Sequence, residues 1–243
     1  MKITYFDNYA TMSDSAADLL ITDLKRKKDL LVCSATGASP SGLYNRLAKK
    51  NQSDPDLFSE MRILKLDEWG GIPMADINSC HSYMKENVLM PLKISSDRFI
   101  EFNNEVKDAD EECTRIQQTI NKIGPIDFCI LGLGKNGHLG FNEPANFLKR
   151  DCHTAKLADS TVQHSMVQSM AQSPTFGMTV GMKDILNSKK ILLLITGSQK
   201  QDAIERFLIK EITTQLPEPL KAVLTEFPER ILFNPTLGFP FCY

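Results

Sequence analysis

Long apolar stretches are missing from this sequence. Runs such as Ile191 to Ile195 stop far short of the ~20 residues that a membrane span needs. Met1 to Asp7 contain no basic segment leading into an apolar one, so no secretory signal is expected and the expected location is cytoplasmic. An excess of charge of one sign is missing too. The 28 basic and 30 acidic residues leave a net charge of −2, which provides no global field to gather nucleic acid or an anionic membrane. Neither is expected as a partner, and any anionic ligand must be held by a local site. The six cysteines, at 33, 80, 113, 129, 152 and 242, form no C-x-x-C pair and no zinc spacing, so no metal centre is expected. Cys33 and Cys129 lie inside apolar runs and read as small buried hydrophobes, and a reducing compartment argues against structural disulfides. With 13 glycines, 12 prolines, 42% hydrophobic and 24% charged residues, the composition excludes collagen, coiled coil and disorder.

What is present is an alternation of short apolar runs with longer amphipathic ones, the pattern of strands and crossover helices around a parallel sheet. Asp29 to Ala35, Met61 to Leu66, Arg98 to Phe102, Ile126 to Gly132 and Lys190 to Thr196 are each of strand length. Ser13 to Lys25 has apolar residues at 16, 17, 20, 21 and 24, one helical face. Asp108 is placed to cap a second helix, whose Ala109, Cys113, Ile116, Ile120 and Ile123 are spaced by four, three, four and three. A third follows the last strand, with Ala203, Ile204, Phe207 and Leu208 facing inward. A chain of 243 residues permits one domain or two at roughly 150 residues each. No repeat and no low-complexity linker divides it, so the expectation is one α/β domain over 1–243: a three-layer α/β/α, Rossmann-like, open and mostly parallel sheet. Ligands of such sheets bind outside the carboxyl ends of the strands.

Four loops follow four of the predicted strands. Thr36-Gly37-Ala38-Ser39-Pro40 precedes an amphipathic helix carrying Leu43, Leu47 and Ala48; Ser39 is placed to cap it and Pro40 to sit in its first turn. Its amides and helix dipole suit a phosphate, and a plain capped turn fits the same spacing. Asp67-Glu68-Trp69-Gly70-Gly71 puts two acids at a strand end, where a carboxylate can move a proton or merely be solvated; Trp69, the single tryptophan, fits core equally. Gly132, Gly134 and Gly137 match the dinucleotide pattern G-x-G-x-x-G, but Gly140, Asn142 and Pro144 leave little room for the helix that this motif requires. The same loop carries His138 five residues before Glu143, a spacing at which a carboxylate can orient an imidazole. Gly197-Ser198-Gln199-Lys200 opens the last helix with a lysine, either a surface charge or a phosphate ligand.

Taken together, these loops resemble the glucosamine-6-phosphate deaminase/isomerase family, whose relatives include the 6-phosphogluconolactonases. The resemblance rests on Thr-Gly-Ala-Ser-Pro, Leu66-Asp67-Glu68-Trp69, Gly132-x-Gly134-x-Asn136-Gly137-His138 with Phe141-Asn142-Glu143-Pro144, and Thr179-Val180-Gly181 followed by Thr196-Gly197-x-x-Lys200. Trp69, Leu131 to Gly140 and the run from Leu186 to Phe207 look closer to the galactosamine branch. The resemblance implies a phosphorylated amino sugar as small-molecule partner, opened, isomerised and deaminated, with galactosamine 6-phosphate giving tagatose 6-phosphate and ammonia. It implies Asp67 as the C2 base and His138, supported by Glu143 and Asn136, as the ring-opening acid/base. Substrate contacts would come from Thr36, Gly37, Ala38, Ser39, Glu68, Gly137 and Lys200. Proton transfer and amine loss imply no metal and no redox cofactor, and a homo-oligomer is left open. Two positions depart from the glucosamine pattern. Asn136 stands where an aspartate is usual, and the phosphate-binding arginine expected near Ser165 has no counterpart between Asp159 and Met170, leaving Lys200, the loop amides and His164. The alternatives are a glucosamine 6-phosphate deaminase, a sugar-lactone hydrolase and a non-catalytic sugar-phosphate sensor.

Overall fold

In the computed structural model, which describes residues 3–145, 147–158, 161, 165–168, 170, 172–201, 203 and 231–233, the five apolar runs form strands of one sheet, four of them interior and the Arg98 to Phe102 run at its edge. The elements run β1 (Ile3–Tyr5), α1 (Tyr9–Leu24), β2 (Leu31–Ser34), α2 (Ala38–Ser53), β3 (Arg62–Lys65), β4 (Asp67–Gly70), α3 (Cys80–Met84), α4 (Met90–Leu92), β5 (Phe99–Ile100), α5 (Ala109–Ile123) and β6 (Phe128–Gly132). They continue with β7 (His153–Ala155), α6 (Ser165–Gln168), β8 (Phe176–Thr179), α7 (Met182–Leu186), β9 (Ile191–Ile195) and β10 (Ile231–Phe233). The larger sheet has the order β1-β10-β9-β6-β2-β3-β5, and its pairings are parallel.

Strands buried on both faces must be apolar at consecutive positions, which explains why these runs show no alternation. Leu31 and Cys33 join Leu131, Leu193 and the α5 residues Cys113, Ile116 and Ile120 on one face. Val32, Ile63, Ile130 and Leu192 pack on the other against Met12, Ala16, Leu20 and Leu24 of α1 and Leu43 and Leu47 of α2. One predicted cap holds. Asp108 accepts from the N–H groups of Asp110 and Glu111 at the start of α5. Cys33 and Cys129 are buried on paired strands, and the five described cysteines are free thiols. Among the described residues no helix is long and apolar enough to cross a membrane.

Two predicted details are corrected. Ser39 does not cap α2. Gly37 is the capping residue, with φ of 108° and no side-chain hydrogen bond. That left-handed backbone starts the helix earlier than Ser-Pro suggests, so the Ser39 hydroxyl lies inside the first turn and bonds Thr196 Oγ1 at 2.7 Å. Asp67 to Gly70 are not a loop. They form β4, antiparallel to β8, which pairs with β7 in a separate three-stranded sheet. The predicted third helix shows Ala203 buried in the core; Ile204, Phe207, Leu208 and Cys242 lie outside the described residues.

Candidate active site

The carboxyl ends of β9, β6, β2 and β3 are neighbours in the sheet, and the segments leaving them surround a cavity of ≈ 400 Å³. Its lining includes Thr36 to Ser39 after β2, Asp67 after β3, Lys135 and His138 after β6, and Ser198 and Lys200 after β9. Four segments spread along the sequence from Thr36 to Lys200 thus converge on one crevice. Trp69 and Phe141 form an aromatic wall, with ring centroids 4.5 Å apart, and Trp69 also belongs to a buried cluster with Ile72 and Cys80.

Asp67 is buried in the cavity, and its carboxyl is raised to about 7 by burial first and by the Glu68 charge second, against the opposing Lys65 charge. The Cys80 thiol is 3.8 Å from Asp67 Oδ1 and 3.7 Å from Thr36 Oγ1. Glu68 points elsewhere, because consecutive strand residues face opposite sides. Fully buried, it bonds Lys65 Nζ at 2.6 Å and accepts from the backbone N–H groups of Trp69, Cys80 and His81. The last two are first-turn amides of α3, so Glu68 satisfies a helix N-terminus. Its expected place among substrate contacts is corrected on this ground. Lys65 also bonds Glu101 at 2.8 Å, which closes a buried charge network behind the cavity wall.

His138 Nδ1 lies 3.2 Å from Glu143 Oε2 and 3.3 Å from Thr161 Oγ1. An ionised carboxylate only accepts, so Nδ1 carries the proton and Nε2 is the basic nitrogen. Burial opposes charge on Glu143, but the bond and charge of His138 with the bonds from Thr161 and Asn136 outweigh it and hold the carboxyl at about 2. Asn136 sits behind the imidazole. Its amide donates to Glu143 Oε2 at 2.8 Å, and its oxygen accepts from the His138 backbone N–H at 3.1 Å. Asn136 and Glu143 therefore order the histidine without lining the cavity, and Gly137 likewise shapes the loop. Thr161, whose hydroxyl donates to Glu143 Oε1 at 2.6 Å, is not recognisable from sequence, because no motif marks a threonine 23 residues beyond the histidine.

No helix opens at Gly137, which removes the dinucleotide reading. Instead Gly137 N–H bonds Gly134 O at 3.1 Å and Gly134 N–H bonds His138 O at 2.9 Å, with Gly137 at φ of 93°. The imidazole lies on Gly134, where an added Cβ would come within 2.3 Å of Nε2. Gly134→Ala is expected to displace the ring, read as shifted His138 resonances in an NMR spectrum otherwise unchanged. Unshifted resonances would mean that the ring does not rest there. Lys200 is partly buried, and burial first and the Lys135 charge second push its ammonium down to about 8. His164 lies outside the described residues, and nothing is described of the Ser165 side chain. Among the described residues no group of three or more His, Cys, Asp or Glu side chains is arranged to hold a metal.

The model of the family described as glucosamine-6-phosphate isomerases/6-phosphogluconolactonase matches residues 7–231. The chain belongs to this family. Within it, the chain is 38% identical over 211 residues to the Escherichia coli (strain K12) protein named "Putative deaminase AgaI", covering 87% of this chain and 84% of that one. It is 33% identical over 219 residues to glucosamine-6-phosphate deaminase 1 of Bacillus subtilis, covering 89% and 90%. A solved monomeric glucosamine-6-phosphate deaminase superposes with a TM-score of 0.87 at 31% identity, over 97% of this chain and 98% of that one. The Trypanosoma brucei 6-phosphogluconolactonase superposes with a TM-score of 0.77 at 14% identity over 97% and 96%, which shows a shared fold.

Proposed function

We propose that this chain, acting as one sugar-phosphate domain over 1–243, converts an amino-sugar 6-phosphate into a ketose 6-phosphate and ammonia, with galactosamine 6-phosphate preferred and tagatose 6-phosphate the product. The observation that carries this reading is a buried carboxyl, Asp67, sharing one cavity with an ordered imidazole and a cationic, amide-lined end. A lactone hydrolase has no C2 proton to move and no use for Asp67 in that place. The named relatives support the deaminase side, and Trp69 with the run from Leu186 supports galactosamine over glucosamine.

His138 Nε2 takes the proton of the anomeric hydroxyl and delivers it to the ring oxygen, opening the sugar to its aldehyde. Glu143 keeps Nδ1 protonated and stabilises the imidazolium formed between these two transfers. Asp67 removes the C2 proton while the substrate ammonium passes a proton to the C1 oxygen, giving an enolamine with a hydroxyl on C1, and Asp67 then returns its proton to C1. The resulting C2 imine adds water and loses ammonia to give the ketone. The α2 amides of Ala38 and Ser39, with Lys200, hold the phosphate. Lys200→Ala is expected to raise KM about tenfold or more and to lower kcat much less, measured by steady-state ammonia release. A fall in kcat at unchanged KM would remove Lys200 from phosphate binding. The proposal itself is tested by ammonia release from galactosamine 6-phosphate and glucosamine 6-phosphate with a 6-phosphogluconolactone control. Ammonia from the galactosamine substrate at the higher kcat/KM supports it; hydrolysis of the lactone alone overturns it.

A further inference from the structure

Among the described residues, the cavity has a cationic end whose lysines pair with no carboxylate. β9, β6 and β2 are consecutive in the sheet, and the loops leaving them bring Lys200, Lys135 and the Gly37–Ser39 amides to adjoining parts of the lining. Asp67, the single carboxylate of that lining among the described residues, enters from β3, beyond β2. Lys135 sits in the tight turn between Gly134 and Gly137, so a short backbone loop holds its Cα at the cavity mouth. Lys135 is close enough to Lys200 that its charge disfavours charge on Lys200, and among the described residues neither lysine has a carboxylate partner. Two cations kept together without a counter-charge are an arrangement whose repulsion a bound dianion relieves.

We propose that Lys135 is a second cation of the phosphate subsite and binds the same phosphate dianion as Lys200. This rests on the phosphorylated substrate of the proposed function and adds to it a residue that sequence motifs pass over. The glycines and His138 of its loop have evident uses, whereas a lysine in a turn reads as ordinary surface charge. The two lysines together match the two charges of the phosphate, and the amides of α2 supply neutral donors.

The test compares the full-length chain with K135M, which keeps length without charge, and K135R, which restores charge. Inorganic phosphate binding is followed by calorimetry, and ammonia release by kinetics. K135M is expected to raise both the phosphate Kd and the sugar-phosphate KM about tenfold, and K135R to recover most of each. The remaining phosphate affinity of K135M should also persist to higher pH than in the wild type, since burial still lowers Lys200 but the Lys135 charge that adds to it is gone; among the described residues Asp67 and His138 are the other titratable groups lining the cavity. A purely structural role would not move that profile. Unchanged Kd and KM in K135M overturn the proposal, as does a wild-type chain that binds no phosphate. Lysine-dependent phosphate binding without ammonia release from either sugar would instead sustain the subsite and defeat the deaminase reading.

Discussion

Asp67→Asn is expected to abolish ammonia release and C2 proton exchange while making the folded protein more stable. The loss follows from role: an amide cannot take the C2 proton, and removal of a positioned base typically costs 10²–10⁴-fold or more. The gain follows from burial. Asp67 titrates near 7 in the folded chain and near 4 when unfolded, so folding favours its protonated form. Its destabilising contribution is absent below the unfolded value, grows as pH rises between the two, and is complete above 7. An asparagine there carries no charge, so the variant should be more stable at pH 8 by on the order of 2–4 kcal/mol and show no such advantage at pH 4, measured by urea unfolding at both values. Substrate affinity should survive, because the phosphate is held elsewhere. Retained C2 exchange, or equal stability of the two proteins at pH 8, would sink this account of Asp67. The same titration shapes the wild-type rate. kcat/KM should rise as Asp67 ionises through about 7 and fall as Lys200 loses its proton above about 8.

His138→Gln should lower kcat by about 10²–10⁴-fold, with KM changed far less. Glutamine fills much of the imidazole volume over Gly134 but cannot exchange a proton at Nε2. Glu143→Gln is the informative companion. It retains one oxygen to accept from Nδ1, places an NH2 where Oε1 accepts from Thr161, and removes the charge that stabilises an imidazolium, so its loss should lie between wild type and His138→Gln. Substrate supplied already ring-opened separates the steps. If His138 serves ring opening, a sugar phosphate trapped as the open-chain aldehyde should restore much of the lost rate, and an undiminished deficit would assign His138 to another step.

Much of this arrangement is legible in sequence because parallel strands buried on both faces advertise themselves. Leu31 to Ser34, Phe128 to Gly132 and Ile191 to Ile195 are apolar at nearly every position and lie at the centre of the sheet. The glycine-rich loop is legible for a local reason, since Gly134 and Gly137 are needed where they stand. The second sheet is not. β7 is only three residues of His153–Ala155, and β4 contains two acids that read as loop, because its buried carboxylates are explained by partners distant in sequence. Glu68 is the clearest case. Lys65 lies close by, but the Cys80 and His81 amides that complete its coordination belong to a helix no motif announces. The same limit applies to Thr161 and Asn136, whose contacts with Glu143 depend on how the loop closes. Strand apolarity is a local property, whereas the satisfaction of a buried charge is a tertiary one.

The central claim is that one proton moves from C2 to C1 before nitrogen leaves, and galactosamine 6-phosphate deuterated at C2 tests it most directly. With wild-type enzyme, the ketose product and the released ammonia are followed together by NMR and a coupled assay. The account predicts that every ammonia released accompanies loss of deuterium from C2, recovered at C1 or in solvent, with slower turnover than for the protiated sugar. Ammonia released with deuterium still on C2 would contradict it.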